Sequence, residues 1–218
     1  MVFGTKMVYN KFVLMKRKSS SSYSSELGKA IEPSTLSDED LVVFVREKDK
    51  EAYELIIDRY KRKIWGYVYR LINDKDETDD LTQQAFINAY VNIRGFDQKK
   101  KFSSWLYRIA HNLSVNWLKK KKAKVSIDRD EEIKNTLISD LNASDQAINN
   151  EISDKIIEAL NRLPEKFKEP FILKYFEEKG YDEISDILRM PKNTVGTMIN
   201  RAKKILKEEL EKSYGPRN

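Results

Sequence analysis

Cysteine is absent from the 218 residues, which excludes disulfide staples, thiolate metal sites and catalytic thiols. That absence suits a reducing compartment. Histidine occurs once, at His111, and a single imidazole builds neither a histidine dyad nor a histidine metal cluster. Seven glycines leave little material for β-turns or phosphate-cradling loops, and no Walker loop or nucleophile–base pair is visible. The apolar runs are too short to span a membrane. No stretch alternates convincingly enough to be a strand.

What the chain has is charge, unevenly spread. Charged residues make up 35% of it while the net charge is only +6, so the distribution carries the information. Between Lys99 and Lys124 stand nine bases and no acid: Lys99, Lys100, Lys101, Arg108, Lys119, Lys120, Lys121, Lys122 and Lys124. Phe102, Trp105, Tyr107 and Trp117 run through the same stretch. A solvated helix face normally mixes signs, because like charges at helical spacing repel. One-signed charge interleaved with rings is what holding a phosphate backbone and stacking unpaired bases requires. The segment points to nucleic acid, opened strands included.

The first 35 residues stand apart. Lys6, Lys11 and Lys16 cut their apolar start so that no signal core forms, and the serine-rich SSSSYSS follows, so a disordered extension is expected over 1–35. Ser37 before Asp38, Glu39 and Asp40 reads as an N-cap with acids in the first turn. Ala52, Leu55, Ile56, Tyr60, Ile64, Tyr67, Val68 and Leu71 recur at helical spacing and predict a long amphipathic helix. NDKDETDD reads as a polar turn, followed by a helix over 79–93, a loop over 96–101 and a helix over 103–122. Over 123–150 six acids oppose three bases and periodicity fades, which reads as an extended acidic linker. Helical patterning returns from 151. The expected fold class is all-α, with two small helical domains, 36–122 and 151–212, on either side of that linker. Pro164 suits the first position of a helix, whereas Pro170 removes a backbone hydrogen bond and is expected to kink or split one.

YDEISDILRMPKNTVGTMINRAKKIL has the layout of a helix-turn-helix: a helix over 182–188, a turn at Arg189, Met190 and Pro191, and a longer helix from about Asn193. Val195, Met198, Ile199, Ala202, Ile205 and Leu206 would face the core. Lys192, Asn193, Thr194, Thr197, Asn200, Arg201 and Lys204 are left for DNA, small polar residues toward base edges and later cations toward phosphates.

These features, in this order, resemble the sigma-70 family of bacterial RNA polymerase initiation factors, and within it the extracytoplasmic-function (ECF) group. DETDDLTQQAFINAY resembles the family's core-polymerase-binding helix, FSSWLYRIAHNLSVNWLKKKK its −10 recognition and melting segment, and LPEKFKEPFILKYFEEKGYDEISDILRMPKNTVGTMINRAKK its −35-binding domain. The resemblance implies that Asp80, Gln83, Gln84 and Phe86 meet the clamp helices of the largest polymerase subunit. It implies that the loop to Phe102 captures a flipped −10 base, with Phe96, Asp97, Gln98, Lys101 and Phe102 supplying stacking and polar groups. Tyr107 would stack on bases, and Asn112, Asn116, Lys119 and Lys120 would follow the duplex or its backbone. Trp105 matches a family position that is commonly core. The resemblance further implies the polymerase flap region and promoter DNA as partners, an anti-sigma factor as a plausible one, no cofactor, no catalytic residue, no membrane insertion and a cytoplasmic site of action.

The chain departs from the family pattern at Arg189, where glycine is usual in the turn, at Gly196, where a base is common, and at Asn116 and Lys119, where Asp-x-x-Arg is frequent. Two other classes of function remain open on the residues alone. One is a conventional helix-turn-helix regulator acting without polymerase. The other is a nuclease holding Mg²⁺ on Asp76, Glu77, Asp79 and Asp80, although carboxylates at a helix start are favoured on electrostatic grounds alone.

Overall fold

The structure is a computed structural model that describes residues 32–127 and 157–214. The expected disordered extension (apart from its last residues) and most of the expected linker lie outside the described residues. Among the described residues every regular element is helical.

Helix α1 (Asp38–Glu47) starts where Ser37 Oγ accepts the Asp40 N–H at 3.1 Å, the side-chain cap that serine supplies. Residues 33–35, expected within the extension, instead form a 3-10 turn tied down by Arg59 Nη2, which donates to Ser34 O at 2.7 Å. Helix α2 (Tyr53–Ile72) buries Tyr53, Ile56, Tyr60, Ile64, Tyr67, Val68, Leu71 and Ile72 along one stripe. Asn73 ends it with φ 51°, a left-handed conformation that asparagine tolerates better than most residues.

Helix α3 (Lys75–Val91) begins earlier than the sequence predicts. The run expected as a turn is its first turn: Asp74 caps it by accepting the Glu77 N–H at 3.3 Å, and Asp76 and Glu77 follow where the helix dipole favours negative charge. After a 3-10 turn at Ile93–Gly95 and the loop over 96–101 comes α4 (Phe102–Ile127), which continues past the boundary expected at 122. Its first N–H, on Phe102, is taken by Glu39 Oε1 of α1 at 2.8 Å, so a carboxylate distant in sequence fixes where the basic helix begins.

The second module comprises α5 (157–162), α6 (Glu165–Tyr175), α7 (Tyr181–Leu188) and α8 (Lys192–Tyr214). Pro164 stands at the N-cap of α6, one residue before the position expected. Pro170 does not split α6, which runs on to Tyr175. The proline ring is buried, and α6 packs lengthwise on α8, so tertiary contact holds the helix through the lost bond. Leu160, Leu163, Phe167, Ile172, Leu173, Ile184, Ile187, Val195, Ile199 and Ala202 form this module's core.

The modules pack against each other, α4 along α7 and α2 against α6. Lys168 of α6 crosses that boundary: its Nζ lies 3.0 Å from Leu71 O and 2.8 Å from Asn161 Oδ1. The ammonium thereby satisfies a carbonyl in the last turn of α2. Burial lowers the Lys168 pKa to about 8, against the opposing pull of Glu165 and Glu169. Burial also raises Glu169 to about 7, with Glu165 adding to the effect.

The lone histidine is internal. His111 Nδ1 lies 3.2 Å from Tyr67 Oη, and burial lowers its pKa from 6.5 to about 4, so the ring is neutral and shares a hydrogen bond with the tyrosine hydroxyl. Between those values the unfolded chain binds a proton that the folded chain refuses, so this group withdraws stability as pH falls from about 6.5 toward 4. Glu169 acts in the opposite sense: its folded pKa is raised, and its contribution is lost as pH rises from 4.5 to about 7. Urea unfolding of the wild type and His111→Gln over this range is expected to show the stability gap between them changing against the wild type as the solution is acidified through 6.5. A gap independent of pH would place the histidine in solvent.

Candidate nucleic-acid and polymerase interfaces

The first surface lies between α2 and α3. Asp80 is exposed and Gln83 and Gln84 are half-buried. Gln84 is held along the helix, its Nε2 donating to Asn88 Oδ1 at 2.7 Å. Phe86 is placed differently from the expectation of a contact residue. It is 4% exposed, and its carbonyl accepts the Tyr53 hydroxyl at 2.8 Å. A ring of that size is drawn inward by the apolar area it removes from water, and Phe86 reaches the surface only as part of a groove wall.

That groove, about 280 Å³, is lined by Ile57, Lys61, Trp65, Asp79, Thr82, Gln83 and Phe86. Trp65 stacks on Tyr69 with ring centroids 5.1 Å apart and donates its indole N–H to Asp79 Oδ1 at 2.6 Å. Thr82 is buried, and its Oγ1 has no hydrogen-bond partner among the described residues. Trp65, Lys61 and Thr82 are not among the residues predicted from the sequence. Trp65 carried a usable signal, because it lies off the buried stripe of α2, and a tryptophan on the polar face of an amphipathic helix calls for a partner.

The second surface is the loop over 96–101 with α4. Asp97 shapes the loop by accepting the Lys99 N–H at 3.0 Å through Oδ1 and the Lys100 N–H at 3.0 Å through its carbonyl. Asp97, Gln98 and Lys101 are exposed. Phe96, Phe102 and Trp105 form an aromatic cluster with centroids 5.4–5.7 Å apart. Phe96 is 4% exposed and Phe102 is fully buried, so in this arrangement they support the loop from beneath and offer no face to a base. Trp105, half-buried on top of them, packs against the core as expected.

Tyr107 is also internal. It meets Tyr67 edge-on at 5.2 Å and donates its hydroxyl to Glu177 Oε2 of the second module, while Lys179 Nζ sits 4.6 Å over its ring. Burial, then the Glu177 charge and hydrogen bond, raise its pKa above the ordinary phenol value. It is closed to stacking here. Asn112, Asn116, Lys119 and Lys120 are all exposed, and 112, 116 and 120 share one face of α4 at four-residue spacing.

The third surface is α8. The turn before it places Arg189 at φ 52°, the left-handed conformation that favours glycine at a helix end. Ser185 Oγ braces the turn by donating to Met190 O at 2.6 Å. Glu183 Oε2 reaches back to the Gly180 N–H at 3.1 Å and closes the start of α7. Val195, Ile199 and Ala202 are buried, with Met198, Ile205 and Leu206 packed beside them. Lys192, Asn193, Thr197, Asn200, Arg201 and Lys204 are exposed and Thr194 half-buried. Lys192 pairs with Asp182 at 2.9 Å, and Thr197 Oγ1 donates to Asn193 O at 3.0 Å.

Both departures in this motif now have a physical description. The turn requires a left-handed residue, and an arginine there is strained where glycine is not. At Gly196 a Cβ would meet Tyr181 Cε1 at 3.7 Å, ordinary contact, so the space admits a side chain. Arg189→Gly is expected to stabilise the protein by about 0.5–1 kcal/mol, and Gly196→Ala by a similar amount, about 1 kcal/mol. Thermal unfolding checks both, and a loss of stability in either would contradict the geometry.

Comparison with known proteins matches both modules to one family. The family model described as Sigma-70 region 2 matches residues 56–124, and that described as Sigma-70, region 4 matches residues 153–206. The chain is 38% identical over 175 residues to the ECF RNA polymerase sigma factor SigW of Bacillus subtilis, covering 76% of this chain and 92% of that one. It is 30% identical over 181 residues to the RNA polymerase sigma-H factor of Pseudomonas aeruginosa, covering 80% and 94%. Among solved structures it shares its fold with CnrH bound to the cytosolic domain of CnrY, with a TM-score of 0.61 and 18% identity over 80% of this chain and 97% of that one. RpoE of Bartonella quintana, solved with the anti-sigma factor NepR, matches with a TM-score of 0.59 and 19% identity over 73% and 96%. With both of its modules matched in order, and with relatives aligned over most of their own length, the chain belongs to the ECF group of the sigma-70 family of RNA polymerase sigma factors.

Proposed function

We infer that this chain is a promoter-specificity subunit of bacterial RNA polymerase. It binds the core enzyme through the α2–α3 groove, with Asp80, Gln83 and Gln84 meeting the clamp helices of the largest subunit and the second module meeting the flap region. The loop over 96–101 and the outer face of α4 recognise and open the −10 element, and α8 reads the −35 element. The observation that carries this reading is the pairing, on one chain, of a helix-turn-helix whose outward face is basic with a second helix, α4, whose exposed residues are basic and polar. A regulator that binds duplex DNA alone needs only the first of these. Phosphate contacts by Arg201 and Lys204 supply position and affinity, while Asn193, Thr194, Thr197 and Asn200 reach base edges.

On this reading the chain carries no catalytic residue and no cofactor, because nucleotidyl transfer belongs to the polymerase, and it acts in the cytoplasm with its partner. An anti-sigma protein is included among its partners, since CnrH and the Bartonella RpoE were both solved bound to a second protein and NepR is named as an anti-sigma factor.

Abortive transcription with purified core polymerase on a randomised promoter library tests the function directly. Selective initiation from templates that share two spaced elements is expected, and tight duplex binding without stimulation would favour the regulator reading. Arg201→Ala and Lys204→Ala are each expected to weaken −35 duplex binding by about tenfold while leaving core binding intact. Gln83→Ala and Trp65→Ala are expected to do the reverse. Loss of core binding in the α8 variants would overturn this division of labour.

A further inference from the structure

Gly196 stands in the second turn of α8, where nothing in the fold calls for a glycine. Its φ lies outside the left-handed range, so the backbone there accepts any side chain. Beyond the adjoining residues and the helix backbone, one atom among the described residues lies within 4 Å of the position a Cβ would take: Tyr181 Cε1, at 3.7 Å. Glycine therefore lowers helix propensity at this position without relieving a clash. What it does is leave a notch on the outward face of the helix. Asn193, Thr197 and Asn200, all exposed, surround that notch at one-turn spacing.

The walls of the notch are apolar. Tyr181, half-buried at the start of α7, turns the edge of its ring toward Gly196. Lys174 Nζ sits 5.2 Å from the centroid of that ring, so a cation covers the ring while its edge stays toward the notch. Thr197 Oγ1 is turned back to the Asn193 carbonyl at 3.0 Å, which leaves the threonine methyl as its free outer group. Charge is confined to the rim, where Lys192, Arg201 and Lys204 are exposed and Lys203 Nζ lies 5.0 Å over the Tyr175 ring. Rim cations of this kind suit the phosphates that flank a read base. A guanine edge is read by the paired donors of an arginine or lysine, and position 196 offers none. The apolar group that a major groove presents is the C5-methyl of thymine.

We propose that Gly196 and the ring edge of Tyr181 form a thymine-reading notch, in which the C5-methyl of one −35 thymine seats over the glycine Cα and against Tyr181. This rests on the reading above that α8 lies in the major groove of the −35 element. Any side chain at 196 occupies the volume the methyl needs, which accounts for a glycine where alanine would make a more stable helix. Tyr181, outside the recognition helix, thereby becomes a specificity-determining residue: the missing side chain opposite it opens its edge to the base.

Selection from a randomised duplex library by the full chain, alone and with core polymerase, supplies the preferred −35 sequence. Each thymine of that duplex is then replaced singly by uracil, which removes the methyl and keeps every hydrogen-bonding group of the base. Loss of one buried methyl is expected to weaken binding about fourfold at one thymine. In Gly196→Gln a polar side chain fills the notch with no change of charge, and the thymine-to-uracil affinity ratio at that position is expected to fall to about one. Both affinities are measured on the same variant, so any change in its folded fraction cancels from the ratio. Uracil tolerated at every thymine, an enriched duplex that lacks thymine, or discrimination that persists unchanged in Gly196→Gln would each overturn the proposal. No enrichment from the library, with or without polymerase, would instead remove the −35 reading itself and this inference with it.

Discussion

Ile56, Tyr60, Ile64, Tyr67, Val68 and Leu71 form a stripe down α2 that is at most 6% exposed, and α1, α3, α4 and α6 all pack on this helix. Removing that apolar area from water is the dominant favourable term in a fold of this kind, and it fixes the other helices by giving them one axis to share. The tyrosines in the stripe add direction to what is otherwise a non-directional force. Tyr60 donates to Asp38 on α1, Tyr53 to the Phe86 carbonyl on α3, and Tyr67 meets His111 on α4. Each hydroxyl, buried or partly so, points at a different neighbour and sets how that neighbour is rotated about its axis.

The boundary between the modules is built differently. There the contacts are carboxylates, ammonium groups and guanidinium groups drawn part-way out of water, and burial pushes Glu169 and Glu177 up and Lys168 and Lys179 down. Those shifts mark charges held at a cost in desolvation, in contrast to the apolar interior of either module. A boundary of this composition is specific in register yet separable, since the charged groups regain their hydration when the modules part. That suits a chain whose two DNA-reading surfaces must reach elements spaced along a promoter.

The aromatic residues divide into two populations that composition alone does not distinguish. Phe96, Phe102 and Tyr107 lie in the core, whereas Trp65, beside Asp79, and Trp105, on the Phe96 and Phe102 rings, are only half-buried. The basic stretch Lys99–Lys124 therefore owes its rings chiefly to the packing of α4 on its neighbours. Its exposed residues are polar or basic, Asn112, Asn116, Lys119 and Lys120 on the helix and Gln98 and Lys101 in the loop.

Periodicity, caps and charge sign were sufficient to place α1, α2 and the helix-turn-helix, because each depends on contacts within a few residues: the Ser37 cap, the four-residue stripe of α2, and the turn between Leu188 and Lys192. The family likewise could be read from three local segments in the right order. What needed the tertiary structure were features set by residues distant in sequence. The start of α4 depends on Glu39, the continuity of α6 through Pro170 on packing against α8, and the groove on the meeting of Trp65 with Asp79. The covering of Arg108 by Asp186 belongs to the same group. A one-dimensional pattern records which residues are apolar or charged; only the fold decides which of them meet, because burial and pairing are properties of surfaces brought together from separate parts of the chain.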